Sequence, residues 1–177
     1  MIMADVFKIV FLVAGTLIVI VSYWLAATAL FPAAVGQARE LYERRALRIT
    51  LIGTFLGVPL FLLGAALATA GPTPFVKIFG GTLASFVLLL ALFGSAGLCQ
   101  RIGNGLPAPL DEFQPWRRVY RGGTVLALTF VLPIVGWFAI FFWTLISGFG
   151  AAVAVVWRHQ PSIQRRAPSA QSLAPVT

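Results

Sequence analysis

The stretch DEFQPWRRVYRGGTVLALTFVLPIVGWFAIFFW, Asp111–Trp143, decides how this chain is read. It joins a short acidic loop to an arginine and aromatic cluster (Trp116, Arg117, Arg118, Tyr120, Arg121). A Gly-Gly pair and a long apolar run follow, and Pro133 and Gly136 interrupt that run. From Thr124 to Trp157 the apolar block holds 34 residues, about 51 Å as one straight helix, against the ~30 Å hydrocarbon core of a bilayer. It must tilt, break, or begin in the interface. Proline lacks an amide hydrogen and clashes with the preceding turn, so Pro133 and Gly136 mark the expected helix break. The preferred reading puts residues 116–132 in the membrane interface and a fourth span at 134–157. A re-entrant hairpin in the same block is the alternative.

The rest of the chain supports a membrane setting. Hydrophobic residues make up 59% of the 177 and charged residues 10%, where soluble domains have about 45–50% and about 25%. Three further apolar blocks, about 9–31, 49–70 and 76–99, each reach the ~20 residues a crossing needs. The expected fold is all-α: one transmembrane domain over residues 1–157, a four-helix bundle with an interfacial helix before the last span. Residues 158–177, rich in Pro, Ser and Gln, form an extended tail too polar to fold alone. The first block is longer than the core of a signal peptide and carries Asp5 before it, so it reads as a retained helix that Pro32 stops or kinks.

Charge sits between the blocks. Thirteen Lys and Arg against five Asp and Glu give +8. In a membrane chain such charge sets topology and meets anionic headgroups, so anionic lipids are expected partners and nucleic acid is not. With four crossings, the arginine-rich loops 32–48 and 100–123 share one side with eight Arg, and five Lys and Arg lie opposite. With a hairpin, the split becomes eleven to two. Either way the two loops are expected to be cytoplasmic in a bacterial inner membrane. The segment 33–48 reads as a solvated helical extension of the second span, with a Glu40/Arg44 pair at i, i+4.

Within lipid, helices associate through close backbone approach at small residues. Gly53, Gly57 and Gly64 on the second span, and Gly80, Gly81 and Ala84 on the third, have the four-residue spacings such packing uses. The brief turn Gly71-Pro72-Thr73-Pro74 makes these two spans antiparallel neighbours.

Catalytic chemistry finds no constellation here. Apart from Lys77 at the mouth of the third, the spans hold no ionisable residue, whereas proton relays and coupled transporters keep such groups for use. His159 has no second His or Cys near it, Asp111 and Glu112 lack a further ligand, and Gly103-Asn104-Gly105 is followed by no Lys-Ser/Thr pair. Cys99 reads as a buried small apolar residue. No catalytic residue, metal or cofactor is therefore expected. The span hydroxyls are expected to bond their own helix backbone. The cluster Trp116, Arg117, Arg118, Tyr120 and Arg121 is the candidate contact surface for lipid or partner.

The string RGGTVLALTFVLPIVGWF from Arg121, followed by GFGA at 148–151, resembles the membrane segment of bacterial polytopic proteins associated with bactofilin-type cytoskeletal polymers. An Arg-Gly start, a Leu-Pro-x-x-Gly-Trp break and a later Gly-x-Gly-Ala recur there. The resemblance spans Arg121 to Ala152, under a fifth of the chain. It implies a membrane anchor for a cytoskeletal polymer. The residues themselves point to a non-catalytic accessory or scaffold subunit of a larger membrane assembly, among other integral-membrane subunits. An energy-transducing complex, photosynthetic or respiratory, is the specific expectation. A small facilitator or lipid-handling transporter is the reading from a different class.

Overall fold

In the computed structural model, residues 2–106, 115–132 and 135–158 are described; the loop 107–114, Pro133, Ile134 and the tail 159–177 lie outside that set. The chain is an all-α, multi-pass membrane bundle. The elements are α1 (Ile2–Leu30), α2 (Pro32–Ile52), α3 (Val58–Ala70), α4 (Pro74–Asn104), α5 (Pro115–Val131) and α6 (Phe142–Arg158). Two π-helical segments, Gly53–Gly57 and Val135–Phe141, lead into α3 and α6. Among the described residues, four stretches are long and apolar enough to cross a membrane: Asp5–Leu30, Pro32–Ala70, Pro74–Asn104 and Phe138–Arg158.

Pro32 does not merely end a helix. Phe31 leaves helical geometry (φ −132°, ψ 58°) and Pro32 opens α2 at a position where its missing amide costs nothing. A second corner falls at Arg45 (φ −144°, ψ 39°), inside α2. Before this corner Val35, Ala38, Leu41 and Tyr42 are buried along one stripe. Residues 33–44 are thus an amphipathic helix seated in the bundle, which corrects the expectation of a solvated extension. The ion pair that forms on its outer face is Arg39–Glu43 at 3.5 Å. After the corner the chain reverses and runs down α4. The π turn at Gly53–Gly57 has a local cause: Pro59 has no amide for the Phe55 carbonyl, and the helix widens so that Val58 donates to Gly53 instead.

Helix α4 is the axis of the bundle. Thr73 caps it, its hydroxyl accepting the Val76 amide at 3.4 Å. Helix α3 lies antiparallel to it, with Gly64 against Ala84 and Gly80 against Ala68. Helix α5 starts beside the end of α4, with Arg118 against Gly103 and Gly122 against Cys99, and then runs back down it. Residues 116–132, expected to form an interfacial helix, make up most of α5, whose Val119, Leu126, Ala127 and Phe130 are buried in the core that α1, α2, α4 and α6 share. The chain then doubles back. Gly136 lies against the Thr129 carbonyl, and the rings of Phe130 and Phe141 meet edge to face at 5.3 Å, which a straight helix would separate by eleven residues.

From there α6 climbs parallel to α4. Leu145 and Phe149 pack near Val87 and Ala91, and Val155 joins the cluster of Leu98 and Val119. Helices α5 and α6 therefore form a hairpin open toward the arginine-rich end, the alternative drawn from sequence. They straddle α4, because Gly94 meets α6 and Gly103 meets α5, and nine residues separate the two contacts, about two and a half turns.

Candidate functional site: buried polar ties beneath an arginine-rich end

The glycines of the sequence stripes fall at helix crossings, with one exception. A methyl added at Gly53 would overlap the Ile146 carbonyl of α6, and at Gly57 it would press on the Phe149 ring. At Gly64 it would meet the Ala84 backbone, and at Gly80 the Ala68 amide. Gly81, in contrast, faces open space. Its spacing matches that of Gly80, but one residue turns the side chain by about 100° around the axis and away from α3. Its assignment to helix packing is corrected accordingly. Further crossings were not foreseen, among them Gly94 with Gly148, Gly97 with Ala38, Gly103 with Arg118, Gly122 with Cys99, and Gly150 with Ile49.

Polar ties cross the same interior. The Trp24 indole donates to the Ser95 hydroxyl at 2.9 Å, and Ser95 in turn donates to the Leu92 carbonyl. The Tyr42 hydroxyl donates to Ser147 at 3.2 Å, and Ser147 donates to the Thr144 carbonyl. Arg101 reaches back from α4 to the Tyr42 carbonyl at 2.8 Å. Tyr23 donates to the Leu89 carbonyl. Thr144 is buried, and its hydroxyl has no partner among the described residues. In a medium without water such bonds replace solvent contacts, and each is worth roughly 0.6 kcal/mol on average. Thr16, Thr28, Thr54, Thr82 and Thr129 bond carbonyls of their own helices. Cys99 is buried against Gly122 and Gly123.

Sequence reasoning missed Trp24 and Tyr42, the largest fully buried side chains. The available signal was chemical rather than periodic: an indole or phenol inside a span needs a hydrogen-bond partner, and Ser95 and Ser147 are hydroxyls within other spans.

The arginine-rich end gathers the contact cluster. Trp116 and Tyr120 are half exposed, and the Arg117 guanidinium sits 5.4 Å from the centre of the Trp116 ring. Arg118 approaches the Asn104 side chain at 3.5 Å, the edge of hydrogen-bonding range, and Arg121 also engages neighbours. Because α6 runs parallel to α4, Arg158 at its last turn lies toward the same end as Arg101 and away from Lys77 at the start of α4. Of the helix-break pair, Gly136 carries the tight return against Thr129, while Pro133 lies outside the described residues, as do Asp111, Glu112 and His159. Among the described residues no group of three or more His, Cys, Asp or Glu could hold a metal.

One cavity opens between α1 and the turn of the hairpin, with a volume of about 400 Å³. Leu12, Val13, Thr16, Leu17 and Ile20 form one wall, and Phe130, Val131, Phe141 and Phe142 the other. Its lining is almost wholly apolar, and the Thr16 hydroxyl is already bonded to the Leu12 carbonyl.

Comparison with protein-family models, curated proteins and solved structures finds no match for this chain.

Proposed function

We propose that this chain is an integral-membrane accessory or scaffold subunit of a larger membrane protein assembly, oriented in a bacterial inner membrane with its arginine-rich end cytoplasmic. The observation that carries this reading is the bare first third of α1. Met3, Val6, Phe7, Ile9, Val10 and Phe11 are each more than half exposed. They span more than two helical turns, so every side of this stretch is free of the chain's own packing. A little above, Gly15 has open space where a side chain would be, which lets a neighbouring helix approach closely.

The orientation rests on charge. Counted by the hairpin geometry, Arg39, Arg44, Arg45, Arg48, Arg101, Arg117, Arg118, Arg121 and Arg158 lie toward one end, and Lys8 and Lys77 toward the other. Such an excess of arginine marks the cytoplasmic face. Anionic headgroups at that face are natural partners for Trp116, Arg117 and Tyr120.

The test is purification from native membranes in mild detergent, with a photoreactive phenylalanine analogue at Phe7 and at Ile18. Crosslinks to a defined second membrane protein are the expected result. Recovery as a lone monomer, crosslinked to lipid alone, would overturn the reading. A cytoskeletal polymer as the captured partner would favour the anchor role that the Arg121–Ala152 resemblance implies.

A further inference from the structure

The cavity between α1 and the hairpin turn has the chemistry and the depth of a lipid-tail site. Phe130 and Val131 stand 13 and 14 residues past Arg117 on α5, about 20 Å down the helix axis. One leaflet's chains reach about 15 Å from the headgroup boundary to the bilayer midplane, half of the ~30 Å core. With Arg117 in the headgroup layer, about 5 Å outside the hydrocarbon, the cavity falls where a chain from the arginine-side leaflet ends.

A track leads to it. Arg117, Tyr120, Thr124 and Val131 follow at i, i+3, i+7 and i+14, the spacing of one helix face. Tyr120 and Val131 are each about half exposed, and Arg117 and Thr124 are partly exposed, so none of the four positions is closed off by the bundle. It begins at a guanidinium held over the Trp116 ring, a charge suited to a phosphate, and ends at the cavity mouth. The floor is made of Leu17, Ile20, Phe130 and Phe141 and offers no free polar group, which excludes a polar solute. The volume of about 400 Å³ lies in the range of pockets that enclose a ligand rather than a water molecule.

We infer that this cavity holds one acyl chain of an anionic phospholipid, with its phosphate at Arg117 and its chain running down the Tyr120–Thr124–Val131 face into the space between α1 and the turn. The occupant is bound by shape in its tail and by charge in its head. This site does not rest on the assembly reading, which concerns the stretch of α1 that precedes the cavity, Met3 to Phe11.

The experiment uses the full chain purified in mild detergent and exchanged with phosphatidylglycerol carrying a diazirine near the end of one acyl chain. Crosslinks concentrated at Leu17, Phe130 and Phe141 are expected, together with retained phosphatidylglycerol in native mass spectrometry. Val131→Trp and Leu12→Trp change exposed positions on the cavity lining and leave the helices intact, which an unchanged thermal midpoint verifies. Each is expected to cut the retained lipid at least fivefold. Arg117→Gln is expected to abolish the preference for phosphatidylglycerol over phosphatidylethanolamine while the tail crosslinks persist. Crosslinks spread evenly along α1, unchanged lipid retention in both tryptophan variants, or a neutral isoprenoid recovered in place of phospholipid would each overturn the proposal.

Discussion

The Trp24 indole nitrogen and the Ser95 hydroxyl oxygen lie 2.9 Å apart, and neither side chain touches the surroundings of the bundle. This bond ties α1 to α4 at the level where Gly123 of α5 presses on the indole ring. Ser95→Ala leaves a buried N–H without a partner, a cost of about 1–3 kcal/mol, whereas Trp24→Phe leaves Ser95 bonded to Leu92 but opens space beside Phe130. In a double-mutant cycle read by denaturation in mixed micelles, the coupling between the two positions is expected near 0.6 kcal/mol and favourable. Strict additivity would show that the bond contributes nothing.

The glycine crossings predict opposite outcomes for the same substitution. Gly94→Ala and Gly53→Ala drive a methyl group into the carbonyls of Gly148 and Ile146, so the backbones must separate and the thermal midpoint in detergent should fall by several degrees. Gly81→Ala and Gly15→Ala meet nothing and gain helix propensity of up to about 1 kcal/mol, so their midpoints should hold or rise.

Membrane sidedness offers a third check. With Cys99 buried, single cysteines at Glu40, Lys77 and Arg158 can be read with an impermeant maleimide in sealed vesicles. Positions 40 and 158 are expected to label from one side and 77 from the other. Labelling of 158 together with 77 would refute the hairpin.

Arg101 is expected to contribute through geometry as well as charge. Its guanidinium donates to the Tyr42 carbonyl at 2.8 Å, three residues ahead of the Arg45 corner. Because Arg101 is exposed, Arg101→Met should cost about 1 kcal/mol, below the 1.5–3 kcal/mol of shielded charged bonds. Arg101→Lys should recover only part of this, since the ammonium group is shorter and points a single charge. Midpoints of the two variants in the same detergent settle the order.

How far the residues alone disclose this arrangement depends on what kind of signal each feature leaves. The four apolar blocks are plain because crossing length is a property of composition. The Gly71–Pro74 turn and the antiparallel contact of α3 with α4 follow from chain punctuation. The inward faces do not, because a helix apolar on every side carries no periodicity from which Trp24 or Val87 could be recognised as interior. Pro133 and Gly136 announce a break but are equally compatible with a bend or a reversal. What selects the reversal is Phe130 meeting Phe141, a contact between residues of the same apolar type as all their neighbours. The corner at Arg45 has no glycine or proline to mark it. It is held by Tyr42, tied to Ser147 and Arg101, which are distant in sequence.

Because α5 and α6 grip α4 from opposite faces, the order of synthesis becomes a constraint. While the ribosome has released the chain only to Val131, the glycine notch at Gly94 still stands open, and the 27 residues that follow, 132–158, carry the helix that closes it. A nascent chain stalled there would be an open clasp. Its completion ends the interval in which the membrane insertion machinery or a chaperone could hold α4.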